Sequence, residues 1–357
     1  MKDVLVILII IVIILIVGFF SYSPSIFQVT IGDGGLYKSN DMGEQWNQLA
    51  VDDKKISITS LDVLSMAVDP NDSEVVYMGT RDNGIYKSFS QGEYWHQLED
   101  ENNVLFDRAN VYDIAIDPKD SNRIYIGTYQ DKKGRVFRTQ DGGESWEEVY
   151  VVSEEKYAVF AIAIDNYDPS VVYMGTAQGG FLRSTDYGKS WEIIKWFDDV
   201  VSDIAINPQN TKIIYISAFE DGVYKTINKG VDWQSFKEEL EEFQQGERVE
   251  KVVIDPQRPN IIYIGSEYGI LTSKNSGQTW QEVKIVMPPE SKPVLSLVIE
   301  PQNTDHLYYG AGPIIYRSLD QGVNWTVHEL SSKRNVKAIT IDPNNVNIIY
   351  VGMHKDK

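Results

Sequence analysis

Two pairs of carboxylates, Asp113 with Asp203 and Asp198 with Asp221, have residue types that could hydrolyse a glycosidic bond. That chemistry needs two carboxyl groups about 5–10 Å apart, one with a raised pKa so that it can protonate the leaving oxygen. The chain carries 52 acidic residues, so such pairs also arise as solvated loop charge. Asp113 and Asp203 are the catalytic candidates on this ground. There are ten arginines, and several converging on one point would bind a substrate carboxylate in bidentate fashion. There is no cysteine, which excludes disulfides, a thiolate nucleophile and thiolate metal sites. The four histidines, His96, His306, His328 and His354, lack metal-ligand spacing. No glycine-rich loop opens an expected helix, so a phosphate cradle is unsupported. No metal site and no cofactor are expected. A net charge of −19 argues against a nucleic-acid backbone as partner, which requires a basic footprint.

The elements that would position such residues come from a repeat. The pattern Ser/Thr-x-Asp-x-Gly-x-x-Trp recurs seven times, most cleanly from Ser184 to Trp191. The tryptophans are Trp46, Trp95, Trp146, Trp191, Trp233, Trp280 and Trp325. The acidic position is Asp41, Asp141, Asp186 and Asp320 in four copies and Ser90, Asn228 and Asn275 in three. A polar run with Asp and Gly between apolar runs is a hairpin turn. The acid accepts turn N–H groups, the glycine takes an angle closed to other residues, and the tryptophan opens the return strand and buries its ring. This is a folding device. Each repeat also has a strand ending before or at an acidic or amide residue and proline, as in Val63 to Pro70, and then a strand such as Val75 to Gly79. Four strands per 42–51 residues predict one propeller blade per repeat.

The ends complement each other. Phe27 to Ser39 leads into the first hairpin with no Asp-Pro strand before it, and Val336 to Gly352 has no hairpin after it. One composite blade would remove the open sheet edge and make seven. Phe27–Gly32 and Ile348–Gly352 compete for its second strand. The expected fold is all-β: a seven-bladed propeller of four-stranded antiparallel blades over 27–352, with a tail at 353–357. Before it, Val4 to Phe20 is an unbroken apolar run, just long enough at about 1.5 Å per residue to cross a bilayer as a helix. It predicts a transmembrane signal-anchor over 1–22 and a spacer over 23–26. The charge bias puts the propeller outside the cytoplasm, at the cell surface or in the periplasm. A cleaved signal peptide, giving a secreted protein, is the competing reading, but Pro24 disfavours cleavage after Ser21 or Ser23.

The repeated motif resembles the Asp-box (BNR) repeat of β-propellers across about residues 27–352. Relatives of that kind include sialidases and xyloglucanase-like glycoside hydrolases, sortilin-type receptors, and the photosystem II assembly-factor family with its bacterial relatives. In length, single propeller and N-terminal apolar segment the chain is most similar to the last group. The strand order puts the boxes and Asp-Pro turns on one face. The resemblance implies a functional site on the other, the loop face. Ligand-binding candidates there are Arg81, Asp82, Tyr129, Trp196, Phe219, Asp221, Tyr268 and Lys251. Lys237 to Phe243 reads as a short amphipathic helix on the rim, with a solvated acidic loop as the alternative. A sialidase would need three converging arginines, drawn from Arg81, Arg108, Arg135, Arg248 and Arg334. The expected function is a non-catalytic, membrane-anchored binding or assembly module for a protein, peptide or glycan, with a monomeric propeller. The alternative is a glycoside hydrolase.

Overall fold

In the computed structural model, residues 33–49, 57–288 and 290–355 are described. The apolar run Val4–Phe20, the spacer and the segment Phe27–Gly32 lie outside them. No helix among the described residues is long and apolar enough to cross a membrane.

Seven four-stranded antiparallel sheets follow one another along the chain. Blade 1 has its innermost, first strand at Val63–Asp69, blade 2 at Asn110–Asp117 and blade 3 at Val159–Ile164. The first strands of blades 4 to 7 are Val201–Ile206, Val249–Ile254, Ser296–Ile299 and Asn335–Ile341. Each packs on the next, and the last packs on the first, so the ring is closed. Blade 7 is the composite one. Leu36–Ser39 pairs with Ile349–His354 on one side and Asn47–Leu49 on the other, so the C-terminal strand fills the second-strand slot. That strand runs to His354, two residues beyond Gly352.

The valine that opens each inner strand and the glycine that closes each second strand form one contact. Gly175 faces Val201 and Gly310 faces Val336, each so closely that a Cβ would lie within 2.3 Å of a valine methyl. Gly352 faces Val63 in the same way and closes the circle. At Ser217 a hydroxyl replaces the glycine. It lies 2.9 Å from the Ser202 hydroxyl, which donates to the Val249 carbonyl.

The hairpin motif is built as expected, with two additions. The Ser184 hydroxyl accepts from the Gly188 N–H at 2.8 Å, and Asp186 accepts from the Ser190 N–H at 2.9 Å. Donation from the Ser190 hydroxyl, the Ser190 N–H and the Ser184 hydroxyl holds the Asp186 carboxyl down at about 2. The substitutes do the same work: Ser90, Asn228 and Asn275 accept from Tyr94, Asp232 and Thr279. Two successive residues are left-handed, Tyr187 at φ 60° and Gly188 at φ 80°, so the turn is sharper than its glycine alone implied. The fourth strands start one residue after the tryptophan, not at it. Only Trp95 and Trp146 are fully buried; the other five rings are half-buried. Each turn is also tied to the preceding blade, as where the Tyr125 hydroxyl donates to the Tyr187 carbonyl and Tyr350 to Gln91 across the seam.

Candidate functional site

The inner strands do not start as regular ladders. The pairing register shifts between Val63 and Ser65, Val111 and Asp113, Val159 and Ala161, Val201 and Asp203, Val249 and Lys251, and Val336 and Ala338. A bulge of this kind re-aims a side chain. The skipped residues are Leu64, Tyr112, Phe160, Ser202, Glu250 and Lys337, and all six line one central cavity of about 490 Å³. It lies where the inner strands begin, on the face opposite the hairpin motifs.

Five candidates from the sequence meet there: Arg81, Asp113, Asp203, Phe219 and Lys251. The Lys251 ammonium is 2.7 Å from Asp203, whose other oxygen accepts the Val252 N–H at 2.9 Å. Burial pulls the ammonium pKa down, but the charges of Asp203 and Asp113 outweigh it and leave it raised. Asp113 accepts from the Ile114 and Ile162 N–H groups at 2.9 and 2.7 Å. Its surface opens on the lumen while protein surrounds it. That burial pushes its carboxyl up to about 6, with Asp203 acting the same way against Lys251 and the two N–H groups. Glu250 and Lys337 pair at 3.4 Å. Tyr112 and Phe160 meet edge to face with ring centroids 4.6 Å apart.

Arg81 belongs equally to the seam. It lies 3.6 Å from Asp62 and 2.8 Å from the His354 Nε2. The other arginines proposed for a substrate carboxylate do not join it. Arg248 pairs with Glu220 and Glu267, Arg135 with Glu148, and Arg334 donates to the Leu61 carbonyl. Arg108 lines a separate rim cleft of about 800 Å³ that also holds Asp82. Tyr129 is half-buried at the end of blade 2's second strand, opposite Asn110 and Gly134. Trp196 is 49% exposed, with its ring against Gly180 of its own blade. Asp221 accepts from Tyr224 and Lys237, and Tyr268 packs on Phe243. Those contacts hold the rim helix, one turn at Lys237–Leu240 anchored by buried Phe236 and Leu240. Asp198 is exposed; its charge and that of its candidate partner Asp221 both act on Tyr224, but neither residue lines the cavity. Among the described residues no three His, Asp or Glu side chains gather as a metal site.

Sequence reasoning missed Tyr112, Phe160 and Lys337 as lining residues. The signal was present: each follows the valine that opens an inner strand.

This architecture has known counterparts. The sequence model described as "Sortilin, neurotensin receptor 3" matches residues 34–178. YCF48 from Cyanidioschyzon merolae superposes with a TM-score of 0.64 at 13% identity, over 87% of this chain and 98% of that one. The propeller fold is thus one that YCF48 shares, and residues 34–178 are similar to sortilin in sequence. YCF48 bound to D1 peptide gives 0.61 at 16% identity, over 83% and 94% of the two chains. The GH74 xyloglucanase from Xanthomonas campestris gives 0.69 at 17% identity, over 87% of this chain and 52% of that one. In sequence, xyloglucanase Xgh74A of Acetivibrio thermocellus is 29% identical over 164 residues, 40% of this chain. The chain spans 19% of that enzyme's length and about half of the Xanthomonas one. These identities carry the fold; the activities named belong to those proteins.

Proposed function

We propose that this chain is a non-catalytic binding or assembly module that holds a protein or peptide ligand at the mouth of its central cavity. One observation carries this reading. The cavity's carboxylates serve the fold: Asp113 and Asp203 each accept a main-chain N–H from the next blade, and Asp203 is also paired with Lys251. The lining is otherwise a mixture of rings, aliphatic groups and neutralised charges, which suits a peptide better than a reacting sugar. YCF48, solved with a D1 peptide, supports the same reading.

A glycoside hydrolase is the second reading, because the Asp113 carboxyl, at about 6, lies close enough to Asp203 and Lys251 to feel both charges and because xyloglucanases share the fold. The purified full chain, incubated with xyloglucan and a polysaccharide panel, is expected to release no reducing ends. Release that disappears in Asp113→Asn or Asp203→Asn would replace the binding reading with the enzymatic one.

The module is further proposed to be membrane-anchored through Val4–Phe20, with the propeller outside the cytoplasm. The absence of native cysteine gives a clean assay. Glu155→Cys, on the exposed loop between blades 2 and 3, is expected to react with a membrane-impermeant maleimide on intact cells. An outer membrane, where present, is first made permeable. Labelling only after full lysis would put the propeller inside.

A further inference from the structure

We propose that the cavity takes a cationic group of its ligand, a lysine or arginine side chain or a free amine, at Asp113 against the Tyr112–Phe160 ring pair. The inference rests on the binding reading above and names the chemistry that the site selects.

The charges lining the cavity can be balanced pair by pair. Arg81 lies 3.6 Å from Asp62, Lys251 2.7 Å from Asp203 and Lys337 3.4 Å from Glu250. His354 adds no cation in this arrangement. Its Nε2 faces the Arg81 guanidinium at 2.8 Å, and an arginine has only donors, so that nitrogen accepts. The Nδ1–H then donates to Asp62 at 2.7 Å. Asp113 is left over, forming no ion pair among the described residues. Two of the roughly four bonds a carboxylate can accept are filled by Ile114 and Ile162. The remaining lone-pair positions are available on the lumen side, where the residue is partly exposed.

A carboxylate surrounded by protein with no ion pair of its own is a costly group. Lys251, the cation that acts on it, is committed to Asp203, so a ligand cation would reduce that cost. The neighbouring walls favour the same kind of group. Tyr112 is beside Asp113 in the bulge, and Phe160 meets it from the next blade. Aromatic faces attract ammonium and guanidinium groups, and the aliphatic wall at Met66 and Leu295 can cover the stem of a long basic side chain. An anionic ligand would face Asp113 directly and would have to break an existing pair to find a cation.

The test uses the full chain and capped hexapeptides that differ at one position. Lysine or arginine peptides are expected to bind about 10-fold tighter than the norleucine peptide. Asp113→Asn, which keeps an oxygen for a main-chain N–H, is expected to abolish that preference, so that lysine and norleucine peptides bind the variant equally. Phe160→Leu is expected to reduce it severalfold without touching the carboxylate, so the proposal stays testable if Asp113→Asn fails to fold. An uncapped norleucine peptide that matches the capped lysine peptide would identify a chain-terminal amine as a source of the cation. Equal affinity for lysine and norleucine, or preference for glutamate, would overturn the inference and leave the binding reading standing. Failure of every peptide to bind would overturn the binding reading itself.

Discussion

Deleting residues 346–357 is expected to abolish the folded monomer. The lost segment contains Ile349–His354, which fills the second-strand slot of blade 7. Ile349, Val351 and Met353 are fully buried, and at about 1.5–3 kcal/mol each their burial is worth about 5–9 kcal/mol. Whole domains are stable by only about 5–15 kcal/mol. The deletion also removes Gly352 from its contact with Val63, the Tyr350 bond to Gln91, and the His354–Asp62–Arg81 cluster. Leu36–Ser39 and Asn335–Ile341 would then both become open edges, which invite aggregation. Size-exclusion chromatography and thermal melting of the soluble fraction would show this. Deleting only residues 356–357 is the control and should leave the melt unchanged. A monomeric 1–345 chain melting within a few degrees of the parent would mean that closure does not depend on the C-terminal strand.

That seam also shows how much of the molecule could be read from its sequence. The boxes and Asp-Pro turns gave blade number, strand order and the two faces, because each is a local turn whose residues are fixed by backbone geometry. They could not choose between Phe27–Gly32 and Ile348–Gly352, since both are short strand-like stretches ending in glycine, and strand choice depends on long-range pairing. The cavity was legible in part. Asp113, Asp203 and Lys251 were legible as candidates because they lie near the start of inner strands on the loop face. The engagement of Asp113 by the Ile162 N–H is a contact between residues 49 positions apart and has no local signature. Trp196 was equally opaque. Its ring is half in solvent because the outer strand of blade 3 is irregular between Ile193 and Lys195.

The seven tryptophans separate stability from binding, and Trp146→Ala is the sharpest probe of that separation. Trp146 is 1% exposed and packs with Tyr77, Ile85, Leu105, Val111 and Phe137 between blades 1 and 2. Its main-chain N–H donates to Asp100 at 2.9 Å and its main-chain carbonyl accepts from Asn102, bonds that an alanine keeps, so the loss on truncation is that of the ring's packing. Truncation of such a ring costs about 3–5 kcal/mol. Trp191, with the same motif position, is half-buried and rests its edge on Tyr150 at 6.2 Å, so Trp191→Ala should cost clearly less. Denaturant unfolding of the two variants measures the difference. Equal losses would show that motif position rather than burial sets the cost. None of the cavity's lining residues is a motif tryptophan, so the folded fraction of both variants should bind ligand with unchanged affinity. Weaker binding by folded Trp146→Ala would instead tie the hairpin face to the loop face. The most repeated residue in the chain therefore reports on the scaffold, while the unrepeated residues after each inner-strand valine, Tyr112 and Phe160 among them, line the surface on which selectivity can be built.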